Sequence, residues 1–354
     1  MSNCWRGLSV LITGACGTVG QELLRQLIGQ GPAEIIAIDN NETEVFFLSE
    51  MYRETENVRI YLGDVRDKQK LLQVSEGVDV VIHVAALKHV ILCEQSPRDP
   101  LQTNILGTQN VIEAAIENGI KRVIFTSSDK AVNPTNVMGT SKLMGERLIT
   151  AANSFRRGNG PIFASTRFGN VLGSRGSVIP IFRQQIARGG PVTITDRGMT
   201  RFVMTVQEAV RLVMDSVFMA QGGEVFVTKM PVARISDLAA VMIAELAPAY
   251  GYNAEDIVIQ EIGAKPGEKQ YEELMSEEEI RRTLELERYF AVIPAFKTVY
   301  KSIAYDYEGM VSRTVGRAYN SAHEAALTPE QLREYLKQSG LLDVPATGDV
   351  RASK

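Results

Sequence analysis

The feature that most limits what this chain can fold into lies near its amino terminus, where the run SVLIT passes straight into GACGTVG and then into QELLRQLIG. A short Val/Ile-rich run predicts a strand, glycines at 14, 17 and 20 predict a tight turn, and the apolar spacing that follows predicts a helix. Such a unit needs a parallel neighbour and a covering layer. The chain supplies both, because EIIAID, VRIYLGD, DVVIHVAA and RVIFTSS recur between helical segments such as VFFLSEMYRE and TNILGTQNVIEAAIENG. The expected fold is therefore α/β, a Rossmann-type doubly wound parallel sheet. Glycine- and proline-punctuated stretches, RFGNVLGSRGSVIP and ARGGPVTITD, mark a smaller substrate-binding lobe. The expected domains are 1–165, with 204–230 returning to it, for the dinucleotide, and 166–203 with 231–275 for the substrate. Residues 276–354, charged and rich in helix formers (SEEEIRRTLELERYF, TPEQLREYLKQ), read as a helical extension with a frayed end.

Composition removes several function classes. A net charge of -4 offers no electrostatic footprint for nucleic acid or anionic lipid. Three cysteines, Cys4, Cys16 and Cys93, are too scattered for a zinc site or disulfide framework and fit a reducing, cytoplasmic setting. No run reaches the ~18 apolar residues of a membrane helix, and no metal is expected. A small-molecule ligand remains.

The glycine turn predicts where that ligand sits. Thr13, Gly14, Gly17, Thr18, Val19 and Gly20 would bring backbone amides and a helix N-terminus to a pyrophosphate. Asp39, closing the second strand, can accept hydrogen bonds from ribose hydroxyls and repel a 2′-phosphate, which favours NAD over NADP. Asp64 and Val65 after the third strand are placed for the adenine end, and Ala85 and Ala86 after the fourth leave room for the cofactor.

Together TGxxGxxG, GDV, HVAA and TNxxGT, with a lysine four residues after a key position, resemble the extended short-chain dehydrogenase/reductase family over roughly residues 8 to 275. Within it, SDKAVNPTNVMGTSK, with AALKHV before it and GNVLGSRGSVIP, MTRF and KPGEK after it, is similar to the nucleotide-sugar 4,6-dehydratases of bacterial glycan and polysaccharide biosynthesis, which act mainly on UDP-N-acetylglucosamine. Some of these carry an N-terminal membrane region, and the likeness here is to soluble members or to the catalytic half. Most of the superfamily has a tyrosine base where this chain has Met138, and a thioether takes no proton near neutral pH. One branch of the dehydratases carries this same methionine. The resemblance implies that Lys130 is the base at sugar C5, Asp129 the acid at the leaving hydroxyl, Ser128 a partner of O4, and Lys142, one turn past Met138, the group that holds the nicotinamide ribose. It implies further cofactor contacts at Lys88 and Asn104, and substrate contacts at Lys88, His89, Asn170, Arg175, Ser177, Arg201, Glu268 and Lys269. Arg167, Arg175 and Arg201 are the arginines available to fork a diphosphate. A C4 epimerase, a dehydratase that inverts C5, and a catalytically inactive NAD-binding sensor stay open as alternatives. A homo-oligomer is expected, paired through TNILGTQNVIEAAIENG and the helix from Gly139 past Arg147.

Overall fold

A computed structural model describes residues 4–155, 160–265, 267–296 and 303–344. The chain divides into two compact units: Met1–Phe168, Val206–Lys229 and Glu273–Tyr319 form one, and Gly169–Thr205, Met230–Glu272 and Asn320–Lys354 the other.

The first unit is built on a ten-stranded sheet. Its strands are β1 (Ser9–Thr13), β2 (Glu34–Asp39), β3 (Val58–Leu62), β4 (Val80–His83), β5 (Arg122–Ser128), β6 (Ile162–Phe168), β7 (Val225–Thr228), β8 (Thr283–Leu286), β9 (Tyr289–Val292) and β10 (Met310–Ser312). They lie in the order β10-β8-β9-β7-β6-β5-β4-β1-β2-β3. From β7 to β3 all pairings are parallel. This is the doubly wound order expected from the sequence, with its topological switch beside β1. Alternate residues serve opposite faces: Leu11, Val81, Val123 and Phe125 pack with Val111, Ala115 and Ile149 in one core cluster. The helices contributing to it are Lys68–Val74, Gly107–Glu117 and Val137–Ala152. Helices Thr18–Ile28 and Val206–Met219 pack against one another.

The last part of the chain departs from expectation. The described residues between 276 and 344 are not a helical extension. Beyond the short helix Glu277–Ile280, TLEL and YFAV form β8 and β9, which add antiparallel strands outside β7, and β10 follows. β8 and β9 are buried on both faces, Thr283, Leu284 and Leu286 in the one and Tyr289 to Val292 in the other, and sheet burial outweighs the helix propensity of the charged residues around them. The expectation for 344–354 falls, from 345 onward, outside the described residues.

In the second unit Thr200–Met204 pairs with Asn170–Val171 and Val232–Arg234, and Val192–Ile194 pairs with Ile259–Glu261. Phe182, Ile186, Leu238, Met242 and Leu246 form its core together with Leu332 and Leu336 from helix Pro329–Gln338. That helix starts with a Thr328/Gln331 capping box and Pro329 in its first turn. It belongs to this core rather than to an appendage. Leu336→Ala should therefore destabilise the unit by about 2–5 kcal/mol, read as a lowered urea midpoint; a change within ~0.5 kcal/mol, as for a solvated surface position, would show that the helix packs on nothing.

Candidate active site

The carboxyl ends of β1, β4 and β5 carry the side chains that the sequence singled out. At β1 the turn is fixed by sterics. Gly14 has φ +73, and a Cβ there would stand 2.6 Å from Ala85 N and 2.7 Å from its Cα. A Cβ on Gly20 would overlap the Gly14 carbonyl, so the helix Thr18–Ile28 can start flush against the turn only with glycine in its first turn. Gly17 caps that helix without a side-chain hydrogen bond, and its first turn holds no acid. This is the chemistry of an anion cradle: open N-terminal amides, a favourable dipole and backbone close enough to be touched. Asp39 closes the cradle's edge, its oxygens accepting from Cys16 N at 3.0 Å and Asn41 N at 3.1 Å. Asp64 is paired with Arg66, whose Nε and backbone N both donate to it, and this neighbour holds its carboxyl below the usual range. Val65 is buried against Gly107.

The loop after β4 is held from beneath. Asn104 accepts from Leu87 N at 2.8 Å and donates to Leu87 O at 3.0 Å and to Ser141 Oγ at 2.9 Å. It thus fixes the Ala85–Lys88 backbone to the helix that bears Lys142. His83 was not singled out by sequence reasoning. Its ring nitrogens bond Thr13 Oγ1 at 2.7 Å and Thr108 Oγ1 at 3.1 Å, and full burial, with Lys142 nearby, depresses its pKa to about 3. It is a neutral strut. Lys88 and His89 are exposed just before helix Val90–Gln95.

At β5 the chain ends in Ser128 and turns through Asp129–Ala131. Asp129 is buried, and its carboxylate accepts from Ser128 Oγ at 2.5 Å and from Lys130 Nζ at 3.2 Å on each oxygen. Ser128 is therefore tied to the acid. Helix Val137–Ala152 begins with Asn136 accepting from Gly139 N, and Glu94 accepts from Val137 N at 2.6 Å. Gly139 lies so close to the Lys130 carbonyl that a Cβ would overlap it. Met138 is 3% exposed. One turn on, Lys142 is fully buried, with Nζ donating to Thr126 O at 2.9 Å and standing 4.7 Å from the centroid of the Phe125 ring. Burial pushes its pKa down to about 8, opposed by Glu146. The Ser127 hydroxyl, buried beside this helix, has no hydrogen-bond partner among the described residues.

In the second unit Asn170, Ser177, Arg201 and Glu268 line one cleft of about 250 Å³, whose other walls include Ile181, Phe182, Ile194 and Met199. The sequence grouped these four residues, and the cleft brings them together; Arg175 and Lys269 are not in its wall. Arg201 donates to the carbonyls of Thr200, Lys269 and Gln270 and lies 3.3 Å from Glu272. Its fork builds the cleft. Arg167, offered above as a phosphate clamp, is instead buried in the first unit between Glu146 and Glu279. An arginine on a strand interior reads the same as one at a rim until the facing carboxylates are known.

Lys142 makes a prediction with a sign. Its proton leaves at about pH 8 when folded and near 10.5 when unfolded, so between these values the unfolded chain binds more protons and stability rises with pH. Below pH 8 both forms are charged and the burial cost is fully present. Lys142→Met should flatten the rise in melting temperature between pH 8 and 10.5; an unaltered slope would show that the amine is not desolvated.

Known proteins resemble this chain over most of its length. The profile of the family described as "Polysaccharide biosynthesis protein" matches residues 10–294. The chain is 46% identical over 342 residues, 97% of its length and 99% of the relative's, to an uncharacterized membrane protein of Methanocaldococcus jannaschii. It is 39% identical over 297 residues, 83% of its length and 85% of the relative's, to the inverting UDP-N-acetylglucosamine 4,6-dehydratase of Campylobacter jejuni. A UDP-glucose 4-epimerase of Rickettsia canadensis is 36% identical over 93% of this chain and 95% of its own. The solved structure of Pen from Bacillus thuringiensis superposes with TM-score 0.89 at 40% identity, covering 96% of this chain and 100% of that one.

Proposed function

The chain belongs to the polysaccharide biosynthesis protein family, and within it we propose that it is an NAD-dependent nucleotide-sugar 4,6-dehydratase that converts UDP-N-acetylglucosamine to the 4-keto-6-deoxy sugar nucleotide. The observation that carries this reading is the Asp129–Lys130 pair beside Ser128, with Lys142 one turn past Met138. A C4 epimerase has no use for an acid and a base at C5 and C6, and a sensor has none for the pair at all.

The cradle at Gly14, Gly17 and Gly20 fits a dinucleotide pyrophosphate: bare positions at Gly14 and Gly20 let the turn close tightly, and the start of helix Thr18–Ile28 carries no acid to repel an anion. Asp39 stands where a ribose hydroxyl would meet it, and Lys142 where it would meet the nicotinamide ribose. The bound nicotinamide supplies a reversible hydride acceptor, taking hydride from sugar C4 and returning it at C6. The C4 ketone so formed acidifies the proton on C5. Asp129 and Lys130 can then act by moving one proton between them. As an ion pair, Lys130 is charged and Asp129 is not a donor. Shifting a proton across the 3.2 Å contact gives a neutral amine and a neutral acid at the same net charge, a form that a dry site favours. Lys130 removes the C5 proton and Asp129 protonates the departing O6 hydroxyl as water. When hydride is returned at C6, Lys130 gives its proton back at C5, and the proton that O4 lost on oxidation, passed on through Ser128, reprotonates Asp129, so the protons balance over the cycle. The nucleotide end is assigned to the cleft of Asn170, Ser177, Arg201 and Glu268, and Lys88 and His89 to the sugar's approach.

Incubating the protein with UDP-N-acetylglucosamine should give a new C6 methyl doublet in the proton NMR spectrum. An epimerase would alter the C4 signals without a methyl, and a sensor would alter nothing. Lys130→Ala should lower product formation by roughly 10²-fold or more, the usual worth of a general base, while enzyme-bound NADH accumulates; product at near wild-type rate would remove Lys130 from the mechanism.

The same reading includes a homodimer. Leu92, Leu101, Leu106 and Met144 are 60%, 47%, 51% and 44% exposed, on or near the helices expected to pair, and these apolar side chains are what pairing of those helices would cover. Light scattering at micromolar concentration should give twice the 39.0 kDa chain mass or a multiple of it; monomeric mass would overturn the pairing.

A further inference from the structure

Lys142, Glu146 and Arg167 are charged side chains buried in the first unit, at 6%, 2% and 1% exposure. Glu146 follows Lys142 by one helical turn, so both project from one face of helix Val137–Ala152. Arg167 reaches Glu146 from β6. Its Nε donates to Oε1 at 2.8 Å and its Nη2 to Oε2 at 2.7 Å, so both carboxylate oxygens are engaged. Arg167 also bonds both oxygens of Glu279 at 2.8 Å and the Leu274 carbonyl at 3.1 Å. Arg282 Nη2 lies 3.5 Å from Glu279. The row Glu146, Arg167, Glu279, Arg282 alternates in sign and sums to zero. Lys142 stands at its end as a fifth charge.

The other groups that meet Lys142 do not match that charge. Thr126 offers a carbonyl and Phe125 a ring face. His83, from β4, is neutral, and Lys142's charge lowers its proton affinity. Of these neighbours Glu146 alone is anionic, and Arg167 has already taken its two oxygens.

We propose that Glu146 and Arg167 are positioning residues for Lys142: Glu146, one turn along the same helix, is its counter-ion, and Arg167, by engaging both oxygens of that carboxylate, sets how much of the charge Lys142 receives. The physical basis is that a carboxylate in a bidentate arginine pair presents a dipole rather than a bare charge, and in a low-dielectric interior the difference is felt one turn away. Burial brings the loss of the amine's proton down to about pH 8, and Glu146, its charge shared with Arg167, opposes that fall only in part. The catalytic consequence rests on the function proposed for Lys142; the electrostatic claim does not.

The test titrates Lys142 itself, without sugar nucleotide. Protein carrying ¹³C at the lysine ε-carbon gives one resonance per lysine, and the one missing from Lys142→Met identifies Lys142. Glu146→Gln removes the anion, so its midpoint should fall by at least about half a pH unit, roughly threefold in proton affinity. Arg167→Met releases the anion, so the midpoint should rise by as much. Opposite signs are the decisive feature. General loosening would admit water and move both variants up together, toward the ordinary lysine value, and that outcome, or no shift in either, overturns the proposal. Should Arg167→Met fail to fold, Glu146→Gln decides alone: a fall supports the device, and a rise or no change ends it. Because the titration needs no turnover, failure to form a methyl product would overturn the dehydratase reading and leave this result standing. A pH profile for the first hydride transfer that follows the two midpoints would join them.

Discussion

The closeness of helix Val137–Ala152 to the end of β5 is the constraint on which the rest of the site depends. Two glycines permit it. A side chain at Gly139 would strike the Lys130 carbonyl, and one at Gly145 would stand 2.7 Å from the tip of the Phe125 ring. With both bare, the helix settles onto the strand, and Lys142 is left no direction in which to reach water. It hydrogen-bonds the Thr126 carbonyl instead. The same approach presses the turn bearing Asp129 and Lys130 against the first turn of the helix, so the acid, the base and the buried amine are set by a single packing contact.

That arrangement bears on Met138. In the dehydrogenase/reductase superfamily that the sequence resembles, a tyrosine at this position would act as a base whose proton the lysine helps to draw off. Here the position is buried and apolar, Ser128 is bonded to Asp129, and the polar groups at the end of β5 are organised around the acid–base pair. Under the proposed function, that pair would move protons at carbon and at a leaving hydroxyl, the demands of elimination rather than of alcohol oxidation alone.

Much of this was legible in the sequence, and the reason is local. Strands buried on both faces must be written as Val/Ile runs, and a helix starting flush on a strand must begin with glycine, so β1, β2, β4, β5 and the cradle could be placed from residue types alone, while β3 is a half-exposed edge strand. Asp129, Lys130, Met138 and Lys142 lie within one short stretch, where spacing conveys their relation. What failed was non-local. TLEL and YFAV sit among glutamates and arginines that favour helix, and only an open edge beside β7 makes them strands. Arg167 could have been a phosphate ligand, because nothing near it in sequence announces Glu279, 112 residues away. His83 was silent for the same reason: its partners are Thr13 and Thr108, 70 and 25 residues distant.

The antiparallel strands β8 and β9 have a consequence for the order in which the molecule can be made. During synthesis the parallel strands up to β7 emerge first, and Arg167 then has only Glu146 for a partner. Its second carboxylate, and the strands that cover the far edge of β7, leave the ribosome after the whole intervening stretch that builds much of the other unit. A nascent chain therefore holds an open sheet edge and a buried guanidinium with part of its hydrogen bonds unmade until its last quarter appears. Completion of the sheet and of that arginine's hydrogen bonds arrive together, so the finished protein is separated from its incomplete forms by a late, concerted step.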